Sequence, residues 1–173
     1  MLNDDAEGDV LAEAVDATDL LREDHEALKA LFDDFETAES GARGELARRA
    51  THLLKIHSAL EEELFYPDLR DVGDRLTVAK AFAEHELVER LAADLDRLDS
   101  EDEEFIAKFV LLAEVVRRHI DEEEEKLFSR AQTSRIDLEE LGARMMRRRQ
   151  ELEENGVGEK PRRAKTRSSK ARR

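Results

Sequence analysis

The amino-acid sequence predicts an all-α fold: an antiparallel up-down-up-down four-helix bundle followed by a short C-terminal helix. Three observations carry that expectation. Ala, Leu, Glu, Lys and Arg dominate the 173 residues, and helix breakers are scarce, with only 2 Pro and 7 Gly. Apolar residues recur at steps of three and four through four stretches of about 20 to 30 residues. Short turn signals separate these stretches, so neighbours in sequence become antiparallel neighbours in space.

Residues 1–15 read as a loose acidic leader. A bundle domain with its C-terminal helix follows over 16–154, and 155–173 read as a disordered basic tail without apolar period. The first helix begins near Asp16 or Thr18, either of which can cap it. Its stripe runs Leu21, His25, Leu28, Phe32, Phe35, and Ser40-Gly41 ends it. The second spans about Ala42 to Tyr66, with Leu46, Ala50, Leu53, His57, Leu60, Glu61 and Leu64 inward and Pro67 expected to stop it. A turn at Asp71 to Asp74, with Gly73, leads to the third, whose inward face is Val78, Ala81, Phe82, His85, Val88, Ala92, Leu95. The fourth starts at about Glu101 and turns Phe105, Phe109, Leu112, Val116, His119, Glu123 and Leu127 inward. A shorter helix from Asp137 to about Glu154 carries Leu138, Leu141 and Met145 on one face.

Composition narrows the function. With 40% hydrophobic and 42% charged residues the chain fills one slim core and coats it heavily. The absence of cysteine excludes disulfides, thiolate zinc sites and cysteine-held iron–sulfur clusters. No apolar run approaches the roughly 20 residues of a membrane span, and the acidic start MLNDDAEGDVLAEAV lacks the basic region of a signal peptide. The expected address is the cytoplasm, without membrane contact. The net charge of −15 is uneven, because eight Lys or Arg face one acid, Glu159, from Asn155 onward. An acidic body argues against nucleic-acid binding except through that tail.

The chemistry lies in the stripes. Each bundle helix carries one histidine inward: His25, His57, His85 and His119. Two add a glutamate four residues on, Glu61 after His57 and Glu123 after His119. Four residues rotate a helix by roughly 40° and raise it about 6 Å, so each pair points one way, one turn apart. Residue counts to the turns put the four histidines at about one level. Six polar groups at one level of a dry core are costly unless something pairs them. A metal pair does so: neutral imidazoles bind it, and carboxylates neutralise and bridge its charge. Nitrogen and oxygen donors without sulfur suit iron, manganese or zinc. Glu122 also lies near the His119 face. His52 is expected to be exposed, and Tyr66, roughly 180° round from His57, is expected to pack near Pro67.

The segments LLREDHEALKALFDDFE, HSALEEELFYP, EHELVERL and RRHIDEEEEKLF resemble the haemerythrin-like HHE cation-binding domain over roughly residues 16–145. The resemblance implies a four-helix bundle with an oxo- or hydroxo-bridged non-haem di-iron centre. It carries His25, His57, Glu61, His85, His119 and Glu123 over as ligands. It also implies binding or sensing of O2 or NO, or a part in iron and oxidative-stress handling. The pattern is broken at Ala81, where oxygen-carrying haemerythrins place a further histidine, and at Ser129, where a proline often follows the last acid. Alanine cannot coordinate, so the metal nearest it is expected to have fewer protein ligands unless a residue such as Glu89 or Glu122 compensates. That puts reversible oxygen carriage in doubt and favours reactivity with peroxide or NO. The rival readings are a di-iron enzyme with catalase-like peroxide breakdown and a helical module whose basic tail contacts nucleic acid or an acidic partner. The expected oligomeric state is a monomer or weak homodimer.

Overall fold

A computed structural model describes residues 15–156. The expected leader, up to residue 14, and the expected tail, from residue 157, lie outside the described residues. Within them the elements are α1 (Ala17–Thr37), α2 (Ser40–Leu60), a π-helical turn (Glu61–Phe65), α3 (Tyr66–Asp71), α4 (Arg75–Leu95), α5 (Glu103–Glu122), a second π-helical turn (Glu123–Phe128), α6 (Ser129–Gln132) and α7 (Leu138–Asn155). The π turns join α2 to α3 and α5 to α6 without a break, so the bundle has four rods. The first rod packs on α2 and α5, and α4 packs on α5, α3 and α2. Helix α7 lies outside this bundle, against α1, α2 and the first π turn.

Local chemistry sets the ends. Asp16 caps α1, its carboxylate accepting from the Thr18 backbone N–H at 2.7 Å and the Thr18 hydroxyl at 2.6 Å. Asp137 caps α7 by accepting from the Glu140 N–H at 3.0 Å. The turn before α4 closes at Gly73, whose φ of +102° suits a residue without Cβ. Pro67 does not stop the second rod, as the sequence had led us to expect. It sits in the first turn of α3, directly after a π turn, where a missing N–H costs little.

The core is two apolar layers with a polar layer between them. One layer gathers Leu28, Phe32, Phe35, Leu54, Leu91, Phe105, Phe109 and Leu112. The other gathers Leu21, Leu60, Phe65, Leu69, Val78, Leu127 and Phe128, and it takes in Leu141, Met145 and Leu152 from α7. The stripes on α1, α4 and α5 are buried as expected, except that Phe82 on α4 packs at the margin. On the second rod Ala47, Leu54 and Phe65 are buried where Leu46, Leu53 and Leu64 were expected, and those three pack at the margin. Helix α7 docks closely because Gly142 has no side chain: a Cβ there would lie 1.9 Å from the Val15 carbonyl oxygen.

Candidate metal centre

All six residues singled out by spacing meet in the polar layer, and all are buried: His25, His57, Glu61, His85, His119 and Glu123. Glu61 stands between the helix pairs. Its Oε1 lies 3.1 Å from His57 Nε2, and its Oε2 lies 3.2 Å from His85 Nε2. Glu123 does the same from the other side, its Oε2 3.4 Å from His25 Nε2 and 3.8 Å from His119 Nε2. The donors therefore fall into two groups. His25, His57, Glu61 and Glu123 form one, and Glu61, His85 and His119 form the other, each with ligand atoms within 4.8 Å of one another.

The donor atoms are short of protein partners. His25 Nε2, His57 Nε2, Glu61 Oε1 and both Glu123 oxygens are buried without a hydrogen bond. Orphaned polar atoms in a dry core are costly, and a cation at their centre satisfies them together.

Each of the four inward histidines is held from behind. His25 Nδ1 meets Glu124 at 2.8 Å, and His85 Nδ1 meets Glu62 at 2.9 Å. His57 Nδ1 meets Asp24 at 3.1 Å, and His119 Nδ1 meets Glu84 at 3.0 Å. A carboxylate at Nδ1 fixes that nitrogen as the N–H donor and leaves the Nε2 lone pair facing inward, the orientation typical of metal-binding histidines. The pattern repeats between the halves. The acid preceding one histidine of a pair holds the other, and the acid following each shared glutamate reaches across to the opposite pair. Helical spacing does not single out Asp24, Glu62, Glu84 or Glu124. The dipeptides Asp24-His25 and Glu84-His85, each set against a His-x3-Glu-Glu, were the available signal.

Tyr66 corrects two expectations. It is fully buried, and it does not turn away towards Pro67. Its hydroxyl donates to Glu61 Oε2 at 3.3 Å and lies 3.3 Å from His85 Nε2 and 3.5 Å from His119 Nε2. The π turn explains this. The Tyr66 N–H bonds to the Glu61 carbonyl, an i→i+5 link that adds about one residue to the turn and takes roughly 100° out of an α-helical count. The group expected to be short of ligands through Ala81 thus has a phenol oxygen beside it. Glu89 is exposed and Glu122 pairs with Lys80 outside the core, so neither supplies that donor. His52 is exposed as expected. The second π turn acts likewise on Phe128, whose ring stacks on His25 with centroids 5.6 Å apart and planes 4° from parallel.

Charge in the layer is coupled. Burial opposes protonation of His57, but Glu61 and Asp24 outweigh it and lift the imidazole to about 10. His85 is lifted to about 9 against its burial by Glu61 and Glu62. Burial pushes Glu61 up, yet the two imidazoles hold its carboxyl well below the usual range. Glu123 is raised by burial and by the charge on Glu61. Tyr66 is pushed far above an ordinary phenol by burial and by both glutamates.

These donors fit a family of metal-binding bundles. A family profile described as Hemerythrin HHE cation binding domain matches residues 16–131. The chain belongs to the haemerythrin HHE cation-binding domain family. A crystal structure of a haemerythrin HHE cation binding domain-containing protein from Mycobacterium kansasii is similar at 27% identity and a TM-score of 0.70, covering 82% of this chain and 89% of that one. No curated protein matches the chain. Among the described residues no helix is long and apolar enough to cross a membrane. The haemerythrin family match ends at residue 131, before α7.

A small cleft borders the site. It is lined by Lys80, Ala81, Glu84 and Glu122 and reaches His119 and Glu123, and its cavity of about 10 Å³ is the size of one water-sized molecule. Ala81 offers only a methyl group to its lining, and Lys80, also in the lining, pairs with Glu122 and Glu84.

Proposed function

We propose that this protein holds a non-haem di-iron centre and uses it to bind or sense a small diatomic ligand, O2 or NO, or to take part in iron and oxidative-stress handling. One metal would be held by His25 and His57 and the other by His85 and His119, with the Tyr66 hydroxyl beside it, and Glu61 and Glu123 would serve both. The observation that carries the reading is the pair of buried donor groups sharing Glu61. Two groups with a common carboxylate suit two cations better than one. Nitrogen and oxygen donors without sulfur admit manganese or zinc as well, and membership in a haemerythrin family favours iron.

A bound iron pair supplies redox chemistry and a place for a small exogenous ligand. The chain's own residues do the rest. The four outer carboxylates aim the imidazoles, the two apolar layers exclude bulk water, and the Ala81 cleft admits only small molecules. Tyr66 holds its proton at Oη while the carboxylates beside it stay charged. The cleft and the phenol also favour peroxide as a substrate, which supports catalase-like breakdown as a second reading. Metal analysis with an optical spectrum of the protein as purified tests the centre: two irons per chain and near-ultraviolet charge-transfer bands are expected, and a chain without bound metal overturns it. Oxygen evolution on adding peroxide separates the second reading from the first.

A further inference from the structure

Among the four outer carboxylates, Asp24 is held in a way the others are not. Its side chain is 5% exposed, whereas its counterpart Glu84 is 12% exposed at the edge of the cleft. Asp24 accepts from His57 Nδ1 and also from both terminal nitrogens of Arg149, at 2.8 and 2.6 Å. Arg149 belongs to α7, the helix beyond the family match. A two-pronged guanidinium contact fixes a carboxylate in position and in plane, which a single ammonium cannot do. Beside His119, Glu84 pairs with the half-exposed Lys80, at 3.6 Å.

We propose that Arg149 is a positioning residue for the metal centre: α7 brings its guanidinium to Asp24, Asp24 aims His57, and the helix thereby sets how firmly the His25–His57 half holds its metal. This rests on the di-metal reading above. Partners of ligating histidines, when removed, typically weaken metal retention by about 10- to 100-fold. Arg149 acts one contact further out, so the lower end of that range is expected, and only in one half. Packing does not require the guanidinium, because Leu141, Met145 and Leu152 bury the same helix.

The test is metal release from the purified, metal-loaded full chain into a chelator, followed by metal analysis. In wild type the two metals should leave slowly. Arg149→Met should release one of the two about 10-fold faster, with the second unchanged. Arg149→Lys should fall between. Arg148→Met is the control, since Arg148 pairs with Glu63 and Glu151 at the surface, and it should release both as wild type does. The double variant Asp24→Asn with Arg149→Met should recover part of the loss, because a neutral amide still accepts from His57 and no longer needs a counter-charge. Wild-type release from Arg149→Met, whatever its melting temperature, overturns the proposal, as does equal acceleration of both metals. If Arg149→Met does not fold, Arg149→Lys decides on the same criterion. A wild-type chain with no metal at all sinks the underlying reading, whereas a loaded wild type with an indifferent Arg149→Met sinks only this inference.

Discussion

The two halves of the polar layer use the same parts in different settings. In the α1–α2 half, His25 and His57 face Glu61 and Glu123, Phe128 stacks on His25, and α7 closes the outside through Arg149. In the α4–α5 half, His85 and His119 face the same two glutamates, Tyr66 takes the place corresponding to Phe128, and the outside opens at the Ala81 cleft. One half is covered by α7 and has a phenyl ring against its imidazole; the other borders a small cleft and has an extra oxygen. The lesson is that a repeated inner geometry leaves reactivity to be assigned by what stands around it, here one phenyl ring against one phenol and one arginine against one lysine.

The largest effect should come from removing what the halves share. Glu61→Ala should lose both metals, whereas His57→Ala should lose chiefly the one in its own half; metal analysis of the purified variants distinguishes them. In the metal-free chain either change also leaves buried charge unpaired, and a loss on the order of 3–5 kcal/mol is expected in denaturant unfolding. Full occupancy in either variant would remove that residue from the site.

Next comes the covering helix. Gly142→Ala forces a methyl group against the Val15 carbonyl, and overpacking of this kind costs about 1–3 kcal/mol. Lifting α7 should expose Asp24 and make the first half exchange metal as readily as the second, seen as faster amide exchange through α7. A variant as stable and as protected as wild type would show that α7 is not seated through this glycine.

Tyr66→Phe should make the second half resemble the first. With the phenol gone, the spectrum of the loaded protein should change while the metal count stays the same, and stability should shift by about 1 kcal/mol. An unchanged spectrum would mean that the phenol does not touch the metal.

The smallest effect is on pH dependence. Without metal, His57 and His85 are raised from an ordinary 6.5 to about 10 and about 9. Groups that bind protons more tightly when folded stabilise the fold fully below pH 6.5. That contribution fades as pH rises through about 9 for His85 and about 10 for His57. Thermal unfolding of the metal-free chain should therefore weaken between pH 6.5 and 10, with the His85 half relaxing first. Metal and protons compete for the same nitrogens, so affinity for metal should rise over the same interval. A flat profile in the metal-free chain would contradict the proton-held layer.

Much of this was legible in the sequence, and the rest was not for identifiable reasons. His25, His57, His85, His119, Glu61 and Glu123 stand on regular α-helical stripes, so counting by 100° per residue finds them. The caps Asp16 and Asp137 and the turn at Gly73 announce themselves by residue type. Tyr66 and Phe128 do not, because α-helical counting fails inside the π turns that carry them to the site. Arg149 is 125 residues from its partner Asp24. Nothing local marks it among its arginine neighbours, and only the close approach permitted by Gly142 singles it out.

The π turns have a consequence for how this protein can change. Each amounts to one residue more than an α-helix needs, placed immediately after a shared glutamate. Loss of a single codon between Glu61 and Tyr66 would let that rod relax to ordinary winding with Tyr66, α3 and the inward histidines left in place, because the residue lost spans the same roughly 100° that the π turn absorbs. The reverse step, a one-codon insertion into a regular helix, is taken up within one turn without disturbing the buried donors on either side. The fourth rod carries the same insertion with a phenylalanine at its end. From there a single-nucleotide change, phenylalanine to tyrosine at 128, would offer an oxygen to the α1–α2 half as well.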